Sequence, residues 1–282
     1  MKKLLSLVLA LALIFALAAC GGNNNGGSSK DKTVTVGCNP TPMVDILNAA
    51  KPVLEKAGYT LKIVEFTDYV LPNTSLEAGE LDANYFQTLG YMNTQNAESG
   101  LHLKAIGGVH IEPMGIYSQK IQSLDEVKEG DSFAVPNDTD NMDRALHVLI
   151  QAGLLKDPGT ANLTENDFNG KADVNPKGLT IVPSEAANLP NVLPDVTGAV
   201  INGNYALGAD LPAKYPAFFV EEFDDAAKIK RTNFIVVKQG NEGSEKVKEL
   251  VKAIQSDEVK KFIDEKYKGS VIISFLSEAD IQ

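Results

Sequence analysis

The pattern of hydrophobic and polar residues divides the chain into three parts. An apolar run at residues 4–19 follows two lysines, residues 21–32 include no apolar side chain, and from Thr33 onward short apolar runs alternate with amphipathic ones. Cations before a short apolar stretch that ends in small residues are typical of a secretory signal. The run is shorter than the roughly 20 residues that a spanning helix needs, so we predict that residues 1–19 are a signal peptide.

A cysteine follows this run directly. The sequence Leu17-Ala18-Ala19-Cys20 resembles a bacterial lipobox, in which the thiol is lipidated and cleavage leaves the cysteine at the amino terminus. We therefore expect Cys20 to carry two or more acyl chains, such as palmitate, because one chain holds a protein weakly. Residues 20–32 would form a flexible linker at the extracytoplasmic face of a cell membrane. An ordinary signal peptide or an uncleaved anchor helix is the alternative.

The long remainder of the chain alternates strand-like and helix-like patterns. Strand candidates share short, β-branched apolar runs and lie at residues 33–36, 61–64, 133–135, 179–182, 199–201 and 234–237. Apolar residues at helical spacing occupy residues 43–56, 142–151 and 245–255, and Ser256 is placed to cap a further helix. Regular alternation of strands and helices predicts an α/β fold.

Charge and cysteine content narrow the possible partners. The formal net charge is −11, and losing Lys2 and Lys3 with the signal makes it −13. Nucleic acid is an unsuitable partner for such a chain, because binding it requires a basic face. An acidic surface also disfavours adsorption to anionic lipid, so the acyl chains at Cys20 would make the membrane contact. With Cys20 lipidated, Cys38 has no disulfide partner within the chain.

Motifs of catalysis and metal binding are missing from the sequence. HExxH, GxSxG, GxxxxGK and CxxC do not occur, and the three histidines are dispersed. Asp138, Asp140 and Asp143 begin like a calcium loop, but apolar residues stand at two of the later ligand positions. The acidic run at residues 221–225 is interpreted as a solvated surface. We therefore expect that the protein is not an enzyme and that it binds no metal and no cofactor.

Five polar and aromatic segments follow the predicted strands. They read FTDYVLPN at 66–73, DANYFQTLGY at 82–91, EPMGIYS at 112–118, PNDTDNMDRAL at 136–146 and VINGNYA at 200–206. In this order they resemble the methionine-binding lipoproteins of bacterial ABC importers, the NlpA family of solute-binding proteins. The resemblance extends from about Thr33 to the carboxyl terminus and includes the lipobox. It implies a two-lobed, periplasmic-binding-protein-like (Venus flytrap) α/β fold with a ligand cleft between the lobes.

Arg144 is the candidate for the carboxylate of a ligand. It opens a helical run after a polar loop, and its planar guanidinium can make two parallel hydrogen bonds to a carboxylate. A local salt bridge to Asp140 or Asp143 is the alternative. Asn202 and Asn204 follow a strand and can meet both poles of a zwitterion without adding charge. For these two, a turn beside glycine is the alternative.

The resemblance implies that Tyr69, Phe86 and Tyr91 form the wall of the side-chain pocket; without it they would be interpreted as core. The chain departs from the family pattern where Thr88 replaces a histidine and Gly90 a proline. The smaller hydroxyl of Thr88 opens space in the pocket.

A second departure precedes the arginine. Met142 and Asp143 stand where the family often has small residues. The carboxylate of Asp143 would meet a ligand ammonium or compete for the Arg144 guanidinium. These departures leave the exact ligand open.

The sequence therefore predicts a monomeric, lipid-anchored protein that captures L-methionine and delivers it to an ABC permease. The first lobe would combine residues 33–115 with 234–282, and the second would span 116–233. D-methionine, a methionine dipeptide or another small amino acid remain alternatives within this class. An exported hydrolase and a surface adhesin are the alternatives from other classes.

Overall fold

The computed structural model describes residues 32–281. The predicted signal at 1–19, the lipidation site Cys20 and nearly all of the linker lie outside the described residues. Within the described range, no helix combines the length and the apolar character needed to cross a bilayer.

The described chain contains two sheets. The first has six strands in the order β11-β4-β10-β3-β1-β2. Its strands are β1 Thr33–Cys38, β2 Thr60–Glu65, β3 Ala83–Thr88, β4 Leu103–Ile111, β10 Thr232–Lys238 and β11 Ile272–Leu276. The second has five strands in the order β7-β6-β8-β5-β9. Its strands are β5 Gly115–Tyr117, β6 Ser132–Pro136, β7 Thr180–Ser184, β8 Gly198–Ile201 and β9 Phe219–Val220.

Helices connect the strands of both sheets. They are α1 Asp45–Lys56, α2 Leu71–Glu77, α3 Leu89–Ser99, α4 Thr139–Gln151, α5 Leu189–Val192, α6 Gly203–Gly208, α7 Leu211–Lys214, α8 Asp225–Arg231, α9 Glu245–Ile254 and α10 Asp257–Tyr267. Single 3₁₀ turns occur at Leu124–Glu126, Glu165–Asp167, Ala186–Asn188 and Glu278–Asp280, and an irregular turn at Pro40–Val44 precedes α1. The hydroxyl of Ser256 accepts from the backbone N of Val259, so the predicted cap of α10 is present.

The first sheet is mixed. β1 pairs in parallel with β2 and β3, whereas β10 runs antiparallel between β3 and β4. Helices α1, α9 and α10 pack on this sheet and enclose a core that includes Val34, Val36, Leu250 and Ile263, all without exposed surface. We call the body built on this sheet the first lobe.

The second sheet is mixed as well. β6 pairs in parallel with β7 and β8, and β5 runs antiparallel beside β8 and β9. Its core includes the fully buried Phe133, Leu149 and Phe168. We call the body built on this sheet the second lobe. The predicted two-lobed α/β class is confirmed, and the exact lobe boundaries given above stay a prediction.

Candidate functional site

A cleft lies between the two lobes, where strands of both sheets end. Thr88 is the last residue of β3, Asp138 comes shortly after β6, and Asn202 follows β8 directly. Ligands of open α/β sheets bind at the carboxyl ends of strands. The cleft contains about 360 Å³ of space, counting its open mouth. Its lining residues come from both lobes and are Met43, Tyr69, Phe86, Gln87, Thr88, Tyr91, Glu112, Asn141, Arg144, Asn202, Gly203, Asn204 and Asn233.

Three aromatic side chains form one wall of this cleft. The ring centroid of Tyr69 lies 5.7 Å from that of Phe86 and 5.6 Å from that of Tyr91. These are favourable distances for tilted and edge-to-face rings. The Tyr91 hydroxyl donates to the carbonyl oxygen of Tyr69 at 3.1 Å, and the Tyr69 hydroxyl donates to Asn204 Oδ1 at 2.6 Å. The structure therefore brings the three predicted aromatic residues together, and each of the two tyrosine hydroxyl groups donates a hydrogen bond.

Polar side chains from the end of β3 border the aromatic wall. Thr88 Oγ1 accepts from the backbone N of Tyr91 at 3.3 Å and caps α3, which leaves its hydroxyl hydrogen for the cleft. Gln87 exchanges side-chain hydrogen bonds with Asn73 and donates to Asn84. Because these amides satisfy one another, this side of the cleft is polar and held in one arrangement.

Arg144 projects from α4 and is only 4% exposed. Its Nε donates to both carboxylate oxygens of Glu221 at 2.9 and 3.1 Å, and its Nη2 donates to Glu221 Oε2 at 2.6 Å. Nη2 also donates to the carbonyl oxygen of Glu112 at 3.0 Å. The ion-pair partner within the described chain is thus the distant Glu221, instead of Asp140 or Asp143. The interpretation of Glu221 as part of a solvated surface is wrong, because its carboxylate is buried in this pair.

A second guanidinium completes the cluster. Arg231 Nε lies 3.0 Å from Glu221 Oε1. Burial alone would lower the pKa of Arg144, but the Glu221 carboxylate outweighs burial and the pKa is raised. Burial would likewise raise the pKa of Glu221, and the two guanidiniums hold it below its usual value. The cluster therefore carries two cations and one anion.

One nitrogen of Arg144 is left for a ligand. Among the residues described, no acceptor forms a hydrogen bond with Nη1, whereas Nε and Nη2 are both engaged by Glu221. Since Arg144 lines the cleft, a carboxylate there would meet the Nη1 side of the guanidinium. The edge formed by Nε and Nη2, which is the usual bidentate edge, is already occupied.

A chain of side-chain hydrogen bonds orients Asn202. The carboxylate of Asp138 accepts from Asn141 Nδ2 at 3.0 and 3.1 Å, and Asn141 Oδ1 accepts from Asn202 Nδ2 at 2.8 Å. Because its amide nitrogen is engaged, Asn202 turns its Oδ1 elsewhere. That oxygen is buried and has no hydrogen-bond donor in the described chain. A buried acceptor without a donor costs free energy, so a ligand donor would relieve it.

Asn204 supplies the opposite kind of group. It lies in α6, and its Oδ1 accepts from the Tyr69 hydroxyl at 2.6 Å. Its Nδ2 therefore remains as the group that can donate to a ligand. Because Tyr69 belongs to the first lobe and Asn204 to the second, this hydrogen bond also joins the lobes across the cleft.

Glu112 is a cleft residue that sequence reasoning did not assign. It is 5% exposed, and its Oε1 forms a hydrogen bond with Nε2 of the fully buried His110. His110 Nδ1 in turn contacts the Tyr85 hydroxyl. The available signal was the motif EPMGIYS, in which a charged residue directly follows an apolar strand.

Met142 and Asp143 do not line the cleft. Met142 packs in the core of the second lobe. Asp143 Oδ1 accepts from the backbone N of Leu163 at 2.8 Å and lies 3.6 Å from Nδ1 of His147. The side chains at positions 142 and 143 thus point away from Arg144, since consecutive helical residues face different directions. Seven of the predicted ligand residues line the cleft, and these two do not.

The described residues hold no group of three or more His, Cys, Asp or Glu side chains arranged to bind a metal ion. Cys38 is buried in β1 and free of any disulfide. Burial, and then the nearby Glu65 carboxylate, raise the pKa of the Cys38 thiol to about 12, so the thiol is protonated.

Two sheets, a cleft between them and polar side chains at the strand ends define the two-lobed fold of the periplasmic substrate-binding proteins. The chain belongs to the NlpA lipoprotein family, whose model matches residues 34–275. It is 36% identical to the D-methionine-binding lipoprotein MetQ of Salmonella typhi, over 96% of this chain and 97% of that protein.

Solved structures agree with this assignment. A nutrient binding protein from Burkholderia cenocepacia bound to methionine superposes with a TM-score of 0.79 at 40% identity, covering 86% of this chain and 100% of that one. The periplasmic substrate-binding protein of an ABC transporter from Coxiella burnetii gives a TM-score of 0.78 at 34% identity, with coverage of 86% and 100%. The resemblance stated from the sequence is confirmed.

Proposed function

We propose that this protein captures methionine in the cleft and delivers it to an ABC permease. The observation that carries the proposal is a pair of unsatisfied groups on residues that line the cleft: Arg144 Nη1, a donor, and Asn202 Oδ1, a buried acceptor. A zwitterionic amino acid supplies the carboxylate and the ammonium that these two groups lack. The aromatic wall of Tyr69, Phe86 and Tyr91 then receives an apolar side chain.

Relatives support methionine as the ligand. The Salmonella protein is named for D-methionine, and the Burkholderia structure holds methionine. The thioether suits a wall of aromatic rings, because sulfur packs favourably at ring edges. We propose L-methionine, with D-methionine as the alternative that the relatives' names raise. Solute binding is not catalysis, and we propose no enzymatic role.

We further propose that the mature protein is a monomer held at the extracytoplasmic face of a cell membrane by acyl chains on Cys20. The lipoprotein names of the relatives and the lipobox at residues 17–20 support this anchor. We place the first lobe at 33–115 with 234–282 and the second at 116–233, which agrees with the sheet to which most strands belong. The cell-surface site would let ligand-loaded protein meet its permease.

The two arginines of the chain offer a matched experiment. Both guanidiniums contact Glu221, but Arg144 lines the cleft and Arg231 does not. Arg144→Lys is expected to weaken methionine binding by at least about tenfold, since a hydrogen bond to a charged group contributes about 1.5–3 kcal/mol. Arg231→Lys should leave affinity within about threefold. Calorimetric titration of both variants with L- and D-methionine measures this.

Thermal unfolding provides the control for this experiment. Both variants weaken an ion pair with Glu221, and Arg144→Lys should lower the melting temperature more, because Arg144 makes more hydrogen bonds and is more deeply buried than Arg231. Equal losses of affinity in the two variants would mean that the ion pair acts through stability alone. Wild-type affinity in Arg144→Lys would rule out the proposed carboxylate site.

A further inference from the structure

The cleft contains a second charged group besides Arg144. Resting on the proposed function, we propose that Glu112, together with Asn202 Oδ1, receives the α-ammonium group of the ligand, so that the cleft selects a free α-amino acid over a peptide. Three observations support this role: an open carboxylate oxygen, its rigid support, and the balance of charge with a guanidinium that contacts the Glu112 backbone.

The first observation concerns Glu112 Oε2. His110 engages Oε1, and no donor from the described part of the chain forms a hydrogen bond with Oε2. Oε2 lies 3.2 Å from the point that a Cβ atom on Gly203 would occupy, and Gly203 itself lines the cleft. The free carboxylate oxygen therefore forms part of the cleft wall, next to the loop that also carries Asn202. A carboxylate oxygen accepts strongly from an ammonium group.

The second observation is the support behind Glu112. His110 is fully buried between the Glu112 carboxylate and the Tyr85 hydroxyl, with both ring nitrogens engaged. A neutral imidazole with its proton on Nε2 satisfies both contacts, because Nε2 then donates to the carboxylate and Nδ1 accepts from the tyrosine. The carboxylate is thus held in place before a ligand arrives, which reduces the entropic cost of binding.

The third observation is the balance of charge. Among the described residues that line the cleft, two are of the types Asp, Glu, Lys and Arg: Glu112 and Arg144. Glu221 and Arg231 do not line the cleft, so Arg144 is the member of this cluster that faces the ligand. One positive and one negative group therefore face the ligand, which matches a zwitterion.

The contact between Arg144 and Glu112 bears on the choice between amino acids and peptides. Arg144 Nη2 donates to the backbone oxygen of Glu112 at 3.0 Å, so the guanidinium lies against the residue that supplies the carboxylate. In a free amino acid the ammonium and carboxylate are attached to one carbon atom. A dipeptide places them on successive residues, about 3.8 Å further apart. A guanidinium that contacts the backbone of the carboxylate residue therefore favours the free amino acid, whose two charges are closer together.

Ligand analogues test this proposal with Glu112→Gln. The ligands are L-methionine, its des-amino analogue 4-(methylthio)butanoate, and the dipeptide glycyl-methionine. Wild-type protein should bind methionine at least about a hundredfold more tightly than either other ligand. Glu112→Gln should reduce the preference for methionine over the des-amino analogue to a few-fold, while affinity for the analogue itself changes little. Glutamine keeps an acceptor for His110, so the support remains.

Two further variants complete the experiment. Glu185→Gln removes a carboxylate from a depression beside the cleft mouth that does not belong to the cleft lining, and it should keep the wild-type preference. Tyr85→Phe should reduce the preference for the amino group partly and leave affinity for the analogue unchanged, which a merely structural role would not do.

The outcomes separate the two proposals. A Glu112→Gln protein that keeps the wild-type preference, or a wild-type protein that prefers glycyl-methionine, overturns the role of Glu112 and leaves methionine capture standing. Wild-type protein that binds none of the three ligands overturns the proposed function and this inference together. Circular dichroism of each variant shows that the fold is retained.

Discussion

At the scale of single residues, Asp138 supports the ligand site from a distance. Its carboxylate caps α4 by accepting from the backbone N of Asn141, and it also accepts from the Asn141 amide. Asn141 in turn holds Asn202 in the orientation that leaves Oδ1 buried and without a donor in the described chain. Burial raises the pKa of Asp138 to about 6 from its ordinary 3.8, and its hydrogen bonds with Asn141 only partly offset this. The site therefore depends on a carboxylate that is costly to ionise.

We predict that Asp138→Asn removes a pH-dependent loss of stability. Between about pH 4 and pH 6 the folded protein keeps a proton that the unfolded chain has released, so stability falls as the pH rises through this range. Asparagine keeps the Oδ1 acceptor and has no proton to release. The free energy of unfolding of the variant relative to that of the wild type should therefore increase from pH 4 to pH 8, by roughly 3 kcal/mol at most.

Urea unfolding at pH 4 and pH 8 measures this difference. Asp225→Asn is the control, because the Asp225 side chain is 93% exposed and its ion pair with Lys228 contributes little. A difference between Asp138→Asn and wild type that is the same at both pH values would contradict the prediction.

The sequence located individual site residues better than their partners. Arg144, Asn202 and the three aromatic residues belong to motifs that follow predicted strands, so their types and positions indicated a binding site. Glu221 lies in a run of four acidic residues that reads as surface. Its burial depends on a contact with Arg144, 77 positions away, that only the folded chain brings about.

At the scale of elements, the strands that the sequence predicted are those with a short, β-branched apolar run of their own. The structure extends the predicted strands 33–36 and 234–237 to β1 and β10 but adds β4, the longest strand of the first sheet. Eight of its nine residues are buried, so it shows no alternation of polar and apolar positions. Gly107 interrupts its pattern, because a Cβ there would lie 2.7 Å from Cγ1 of Val251 on α9. This requirement for glycine is set by packing between elements.

The contact between α3 and α4 brings the two lobes together at Gly90. A Cβ atom on Gly90 would lie 2.2 Å from Oδ1 of Asp140, which is closer than atoms can approach. We predict that Gly90→Ala disfavours the closed arrangement and weakens methionine binding by about tenfold, since the ligand must then also offset this clash. Calorimetric titration measures the loss.

The double variant Gly90→Ala with Asp140→Ala tests the mechanism. Removing the Asp140 carboxylate relieves the clash, so the double variant should bind about as well as Asp140→Ala alone. Losses that simply add would show that Gly90 and Asp140 act independently, contrary to the contact between them.

At the scale of the whole molecule, the chain passes from the first sheet to the second and back. β10 returns late in the sequence and pairs between β3 and β4, in the middle of the first sheet. Periodicity cannot predict this order, because it reports which face of a strand is buried and not which strand lies beside it. The family resemblance implied two lobes, and the pairing of β10 gives the physical reason that they are connected more than once.

Hydrogen bonds already join the lobes across the cleft. The Tyr205 hydroxyl donates to the carbonyl oxygen of Thr67 at 3.1 Å, and the Thr139 hydroxyl donates to Glu98 Oε1 at 2.8 Å. These two contacts are exposed, and such contacts contribute little individually, whereas the Tyr69–Asn204 hydrogen bond is partly buried. A ligand that touches both lobes binds the closed form more tightly, so it shifts the population toward that form.

We therefore predict that methionine makes the protein more compact in solution. Small-angle X-ray scattering should give a smaller radius of gyration with saturating methionine than without it, because the ligand adds contacts to both lobes that the few direct hydrogen bonds cannot replace. At a methionine concentration just sufficient to saturate the wild type, Arg144→Lys should show a smaller decrease in radius, since its weaker binding leaves part of the protein without ligand. A ligand-free protein that is already as compact as the methionine complex would contradict closure driven by the ligand.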